Sequence, residues 1–102
     1  MIKNAKITHT FLGVEDHGIF TFQLRLKYGD DSVQSAGGWT LDTYNGETRV
    51  GTAEGMDKIM RLLETLEADS WESLKGKDVR VDAGYDKVVA IGHLMKEKWV
   101  AI

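Results

Sequence analysis

Thr52-Ala53-Glu54-Gly55-Met56-Asp57-Lys58-Ile59-Met60-Arg61-Leu62-Leu63-Glu64-Thr65-Leu66-Glu67 decides the fold of this chain, because it is the one stretch with helical periodicity. Met56, Ile59, Met60, Leu63 and Leu66 recur at helical spacing and form a stripe that needs a surface to bury it. Thr52 is placed to cap the first turn, and Glu54 and Asp57 follow where the helix dipole favours anions. Glu54–Lys58 and Asp57–Arg61 stand acid before base at the spacing of helical neighbours.

Outward from the helix, the remaining ordered segments alternate like strands. Ile19–Tyr28 is the clearest: Phe20, Phe22, Leu24, Leu26 and Tyr28 interleave with Thr21, Gln23, Arg25 and Lys27. Lys3–Leu12 precedes it, with Ala5, Ile7, His9 and Phe11 on one face. Gly29-Asp30-Asp31 turns the chain into Ser32–Leu41, where Val33, Ser35, Gly37, Trp39 and Leu41 share a face. Asn45-Gly46 is either a type I′ hairpin signal, with strand three running on toward Tyr44 and a return arm reaching Val50, or the tip of a plain loop. Beyond the helix, Asp69 and Glu72 read as a second cap over Ser70–Leu74, ended by Gly76. Lys77–Ala83 turns through Gly84-Tyr85-Asp86 into Lys87–Leu94, and Met95–Ile102 is an extended arm ending the sheet. The order β-β-β-α-β-β predicts an α+β domain over residues 1–102: an antiparallel sheet of about five strands with one main helix on one face. Its core is expected to combine the helix stripe with Phe20, Phe22, Leu24, Val79 and Val81.

Composition narrows the function classes. The chain has 102 residues, 42% apolar and 28% charged, which is ordinary globular usage, and a net charge of −3. That balance argues against a phosphate-backbone binder, so no direct nucleic-acid contact is expected. Charge is uneven along the chain: residues 52–72 carry six acids against Lys58 and Arg61, and residues 73–102 carry six bases against four acids. There is no cysteine, so thiol catalysis and cysteine-based zinc sites are excluded. Met1-Ile2-Lys3-Asn4 leads straight into a strand pattern, and no apolar run approaches a membrane span. A soluble, cytoplasmic protein is expected.

No group of residues forms a recognised catalytic or metal-binding pattern. Glu15-Asp16-His17 with His9 is the nearest to a ligand set, yet no H-E-x-x-H and no calcium loop is present. The expectation is no metal, no cofactor and no enzyme, with His9 and His93 structural. Gly37-Gly38-Trp39 marks either a bulge or a contact surface, since glycines inside a strand weaken it unless something approaches closely. With Thr52 at the helix start, Gly37, Gly38 and Trp39 are the candidates for a small anionic ligand. Trp71 is expected to fold its turn onto the core, and Trp99 to pin the last strand or to stack on a partner.

Glu15-Asp16-His17-Gly18-Ile19, Gly37-Gly38-Trp39 with Leu41-Asp42, Asp69-Ser70-Trp71-Glu72, Ile91-Gly92-His93 and Lys96-Glu97-Lys98-Trp99 together resemble small accessory proteins encoded by bacteriophages and prophages. The resemblance implies a non-enzymatic protein of the host cytoplasm that blocks a host component, such as a defence system, as anti-CRISPR proteins do. An acidic helix face (Glu54, Asp57, Glu64, Glu67) would then meet a basic surface on the host protein. The alternative is sequestration of a nucleotide-type signal molecule. A homodimer is open in either case.

Overall fold

The computed structural model describes all residues, Met1–Ile102. Its strands are β1 (Ile2–Val14), β2 (Phe20–Tyr28), β3 (Val33–Thr40), β4 (Asp42–Tyr44), β5 (Arg49–Gly51), β6 (Asp78–Ala83), β7 (Val88–His93) and β8 (Trp99–Ala101), with helix α1 over Ala53–Leu66. Six of them form one antiparallel sheet in the order β3-β2-β1-β6-β7-β8, and β4–β5 form a separate hairpin. This is the expected α+β architecture. The extended arm supplies a sixth strand of the sheet, and the third expected strand breaks at Leu41.

The sheet curls until β3 approaches β7, and Gln34 Nε2 on β3 donates to the carbonyl of Gly84, in the β6–β7 turn, at 3.2 Å. Helix α1 spans the opening on the inner side. Lys58 Nζ donates to Ala101 O on β8 at 2.7 Å and stands 3.8 Å from the centre of the Trp39 ring on β3. Inside lie Ile7, Phe22, Leu24, Leu26, Leu62, Leu66, Leu74, Val79, Val81, Val88 and Ile91, all almost fully buried. Trp71 packs edge-on against Phe22 with ring centroids 6.1 Å apart, so the segment after the helix does fold back on the core.

The helix itself is rotated by about a quarter turn from the expected stripe, on a scale of roughly 100° per residue. Gly55, Leu62, Thr65 and Leu66 are its buried residues, with Ile59 and Leu63 partly covered, while Met56 and Met60 are 62% and 51% exposed. The apolar side of α1 is wider than the surface available to it. Gly55 decides which part is buried: its Cα lies so close to the Leu41 backbone that any Cβ would collide. Thr52 caps as expected, its Oγ1 accepting from Gly55 N at 2.9 Å and donating to Leu41 O at 3.1 Å. Asp57–Arg61 forms at 3.4 Å. Glu54–Lys58 does not, because Lys58 turns to Trp39 and Ala101 instead.

Two bulges reset the faces of the first three strands. Opposite Ile7 and His9, β2 offers the neighbours Leu26 and Arg25, so Thr8 is one residue too many in β1. Ala5 and Ile7 face inward as expected, but beyond Thr8 the alternation inverts: His9 and Phe11 are exposed on the outer face, and Leu12 and Val14 turn inward. In β3, Gln23 pairs with Gly37 and Thr21 with Thr40, a second extra residue. Gly37 and Gly38 take φ of +103° and +88°, and a Cβ on Gly37 would sit 2.7 Å from Phe22 O. Ala36, opposite the buried Leu24, is the inner residue of β3; Val33, Ser35 and Trp39 are exposed.

Tyr44 pairs with Arg49, so Asn45–Thr48 is a four-residue loop and not a two-residue type I′ turn. Asn45 Oδ1 accepts from the Glu47 and Thr48 amides at 3.0 Å each, which stabilises the wider loop. The turn at Glu72–Leu74 is capped by Ser70 Oγ, which accepts from Ser73 N at 3.2 Å, and not by Asp69.

Candidate functional site: an apolar groove

The inversion at Thr8 has a functional consequence. It places Leu12 opposite Phe22 and Val14 opposite Phe20, on the inner face of a tongue formed by the far ends of β1 and β2, with Thr40 and Leu41 bonded along the β2 side. The β4–β5 hairpin and the first turns of α1 stand over that tongue, and a groove of about 470 Å³ lies between them. Its apolar lining is Leu12, Val14, Phe20, Leu41, Val50, Met56 and Ile59. Val14 and Met56 are each 62% exposed, so the groove is open to solvent. Its size falls in the usual range of ligand and docking pockets. Met60 continues the apolar flank of α1, and Glu64 and Asp57 come next around the helix.

One part-buried ion pair fixes the hairpin wall. Arg49 Nε and Nη2 donate to the two carboxylate oxygens of Asp42 at 2.6 and 2.9 Å. Asp42 is buried. The hydrogen bonds from Arg49 hold the Asp42 carboxyl below its usual range, and Asp42 raises the Arg49 guanidinium in turn. A planar two-bond pair of this kind fixes orientation as well as charge. It consumes the one base that lines the groove.

The residues singled out for partner binding do not form one patch. Glu54 makes no ion pair, whereas Asp57 and Glu64 share Arg61, at 3.4 and 2.7 Å. Glu67 is committed inside the molecule. It ends α1 in the left-handed region at φ 53°, with Ala68 N donating to Leu63 O at 2.9 Å. Its carboxylate then takes Lys96 at 2.6 Å, Lys98 at 3.2 Å and His93 Nε2 at 3.6 Å. Hydrogen bonds from Lys96 and Lys98 lower its pKa to about 2. This cluster ties the β7–β8 connection to the helix end. His93 Nδ1 also accepts from the Met95 and Lys96 amides, a structural role as expected. His9 is exposed and has only Thr8 Oγ1 at 3.4 Å.

The ligand-type candidates are also dispersed. Thr52 lines the groove, but its hydroxyl is engaged as both donor and acceptor in the helix cap. Gly37 and Gly38 form the β3 bulge, and Trp39 lies under Lys58 outside the groove lining. Trp99 pins the last strand, with Arg80 5.0 Å from the centre of its ring. At the β1–β2 turn the potential ligand atoms of Glu15, Asp16 and His17 lie within 4.8 Å of one another. Glu15 is held there by the turn itself: its carboxylate accepts from His17 N at 2.8 Å. That bond and its neighbours lower the Glu15 pKa against the opposing effect of desolvation, the largest single influence. No helix is long and apolar enough to cross a membrane.

Comparison with known protein families, with curated proteins and with solved structures finds no match.

Proposed function

We propose that this chain is a non-enzymatic binding protein that docks a partner protein in the groove between the β1–β2 tongue, the β4–β5 hairpin and α1. One observation carries the reading: Val14, Met56 and Met60 stand more than half exposed around a groove whose lining is mostly apolar. Contiguous apolar surface of this kind is a cost to a soluble monomer and is typical of interaction sites. Next around the helix from Met56 and Met60, Asp57 and Glu64 share the single base Arg61 and leave acidic charge that favours a basic partner and speeds its approach. The resemblance to phage accessory proteins adds the context, a blocked host component in the host cytoplasm, for which a CRISPR complex is an example. A nucleotide-type ligand at Gly37, Gly38, Trp39 and Thr52 is the weaker proposal, because Trp39 and Thr52 already have partners within the chain.

Site-specific photo-crosslinking tests the reading. A photoreactive residue replacing Met56 should trap a discrete bacterial protein in host lysate. The same residue replacing the fully exposed Tyr85, on the β6–β7 turn, should not. Equal patterns from the two positions would refute the groove as the docking surface.

A further inference from the structure

Strand β1 runs for thirteen residues, yet β6 pairs only with Ile2–Lys6. On the same side Ile7 is tied to the chain entering β6, donating to Lys77 O at 3.0 Å and accepting from Gly76 N at 2.7 Å. Beyond Thr8 no strand follows, and His9–Val14 pair with β2 alone. The antiparallel ladder determines which groups are left over. Glu15 N donates to Ile19 O at 2.9 Å, so Glu15 and, stepping back by twos, Gly13 and Phe11 turn their amides and carbonyls toward β2. Thr10, Leu12 and Val14 turn theirs to the open edge. The side chains of Leu12 and Val14 point into the groove, so a row of unpaired backbone donors and acceptors runs along its lip.

Native sheets guard such edges with lysine, proline or a twist away from neighbours. His9-Thr10-Phe11-Leu12-Gly13-Val14 has neither lysine nor proline. We propose that the groove takes its partner as an added β-strand: an extended segment, apolar at alternate positions and basic at its flank, pairs with Thr10, Leu12 and Val14 and lays its apolar side chains against Phe20 and Met56. This rests on the groove being the docking surface. An added strand satisfies both the backbone edge and the apolar floor, whereas a docked helix, bonded internally, leaves the edge groups to water. The basic flank follows from charge. Asp16 is exposed just beyond the end of β1, and Asp57 and Glu64 share the single base Arg61 on the flank of α1 next to Met56 and Met60. Arg49, the base in the lining, is already neutralised by Asp42.

A displayed library of random dodecapeptides, selected on the intact protein, supplies the probe. Recovered peptides are measured against the wild type, Thr10→Pro and Met56→Ser. Thr10→Pro removes an outward amide and obstructs the edge while sparing the groove-lining side chains, and edge strands accept proline. The expected peptides alternate apolar and polar residues with Lys or Arg at one end. Each variant should weaken them about tenfold or more, roughly 1.4 kcal/mol. On the wild type, which needs no variant to fold, amide exchange at Thr10, Leu12 and Val14 should slow at least about tenfold on peptide addition. Peptides that respond to Met56→Ser but leave Thr10→Pro binding and those amides unchanged would overturn the added strand and leave the groove reading standing. Peptides insensitive to both variants, or none recovered, would overturn both. Concentration-dependent protection of the same amides without peptide would assign the edge to a second copy and overturn the partner-strand proposal.

Discussion

Leu62→Ala and Met60→Ala, read side by side, decide how α1 faces the sheet. Leu62 is 0% exposed and packs inside the curl of the sheet, so truncation removes buried methyl groups and leaves a cavity, at a cost of about 2–5 kcal/mol. Met60 is 51% exposed, and its truncation should change stability by no more than about 0.5 kcal/mol. For a domain of this size each kcal/mol moves the melting temperature by roughly 4–8 °C, so Leu62→Ala should melt about 15 °C lower while Met60→Ala stays near the wild type. Urea unfolding followed by far-ultraviolet circular dichroism measures both, and an unchanged m-value would show that only stability moved. A Met60→Ala loss equal to that of Leu62→Ala would mean that α1 faces the sheet with the stripe expected from its sequence, and the exposed methionine flank of the groove would not exist.

Other outcomes follow from single observations. Gly37→Ala should cost about 1–3 kcal/mol or more, because its φ of +103° is combined with a clash on Phe22 O, whereas Gly38→Ala, with open space around its Cβ, should cost less; paired thermal melts measure the difference. The Glu67 pKa is depressed in the fold to about 2, so its stabilisation is complete above the ordinary carboxylate range near 4.5 and is lost as pH falls from there through about 2. Glu67→Gln should therefore melt lower than the wild type at neutral pH, and the two should converge below about pH 2. Asp42→Asn should loosen the β4–β5 hairpin, seen as faster amide exchange at Val50, while the six-stranded sheet keeps its protection. Dialysis against a chelator should leave the melting temperature unchanged; a drop restored by zinc would make Glu15, Asp16 and His17 a working site.

The class of the fold was legible because period-two and helical patterns are set locally. The alternation in Phe22–Tyr28 and the buried pair Val79 and Val81 needed no tertiary information, although Phe20, expected in the core, is 38% exposed at the groove. The groove was not legible, because it depends on one unpaired residue. Thr8 carries no signal that distinguishes it from any other strand threonine, yet it reverses every side chain that follows in β1. The rotation of α1 was hidden for a related reason: an apolar side that includes both methionines and Leu62 fits more than one orientation, and contact between Gly55 and Leu41 selects between them. The glycines at 37 and 38 did announce irregularity, and a bulge is what they build. The engagement of Glu67 by Lys96 and Lys98 joins residues about thirty positions apart, beyond any local pattern.

The central claim, that the groove and its strand edge form the binding surface, is tested most directly by amide hydrogen exchange on the chain alone and in complex with the protein trapped through position 56. Binding in the groove should protect Thr10, Leu12 and Val14 together with the Val50–Gly51 and Gly55–Met60 amides that border the groove. Protection confined to the outer face around Gln23, Arg25 and Lys27, or to the Glu67–Lys98 cluster, with the groove amides unchanged, would contradict it.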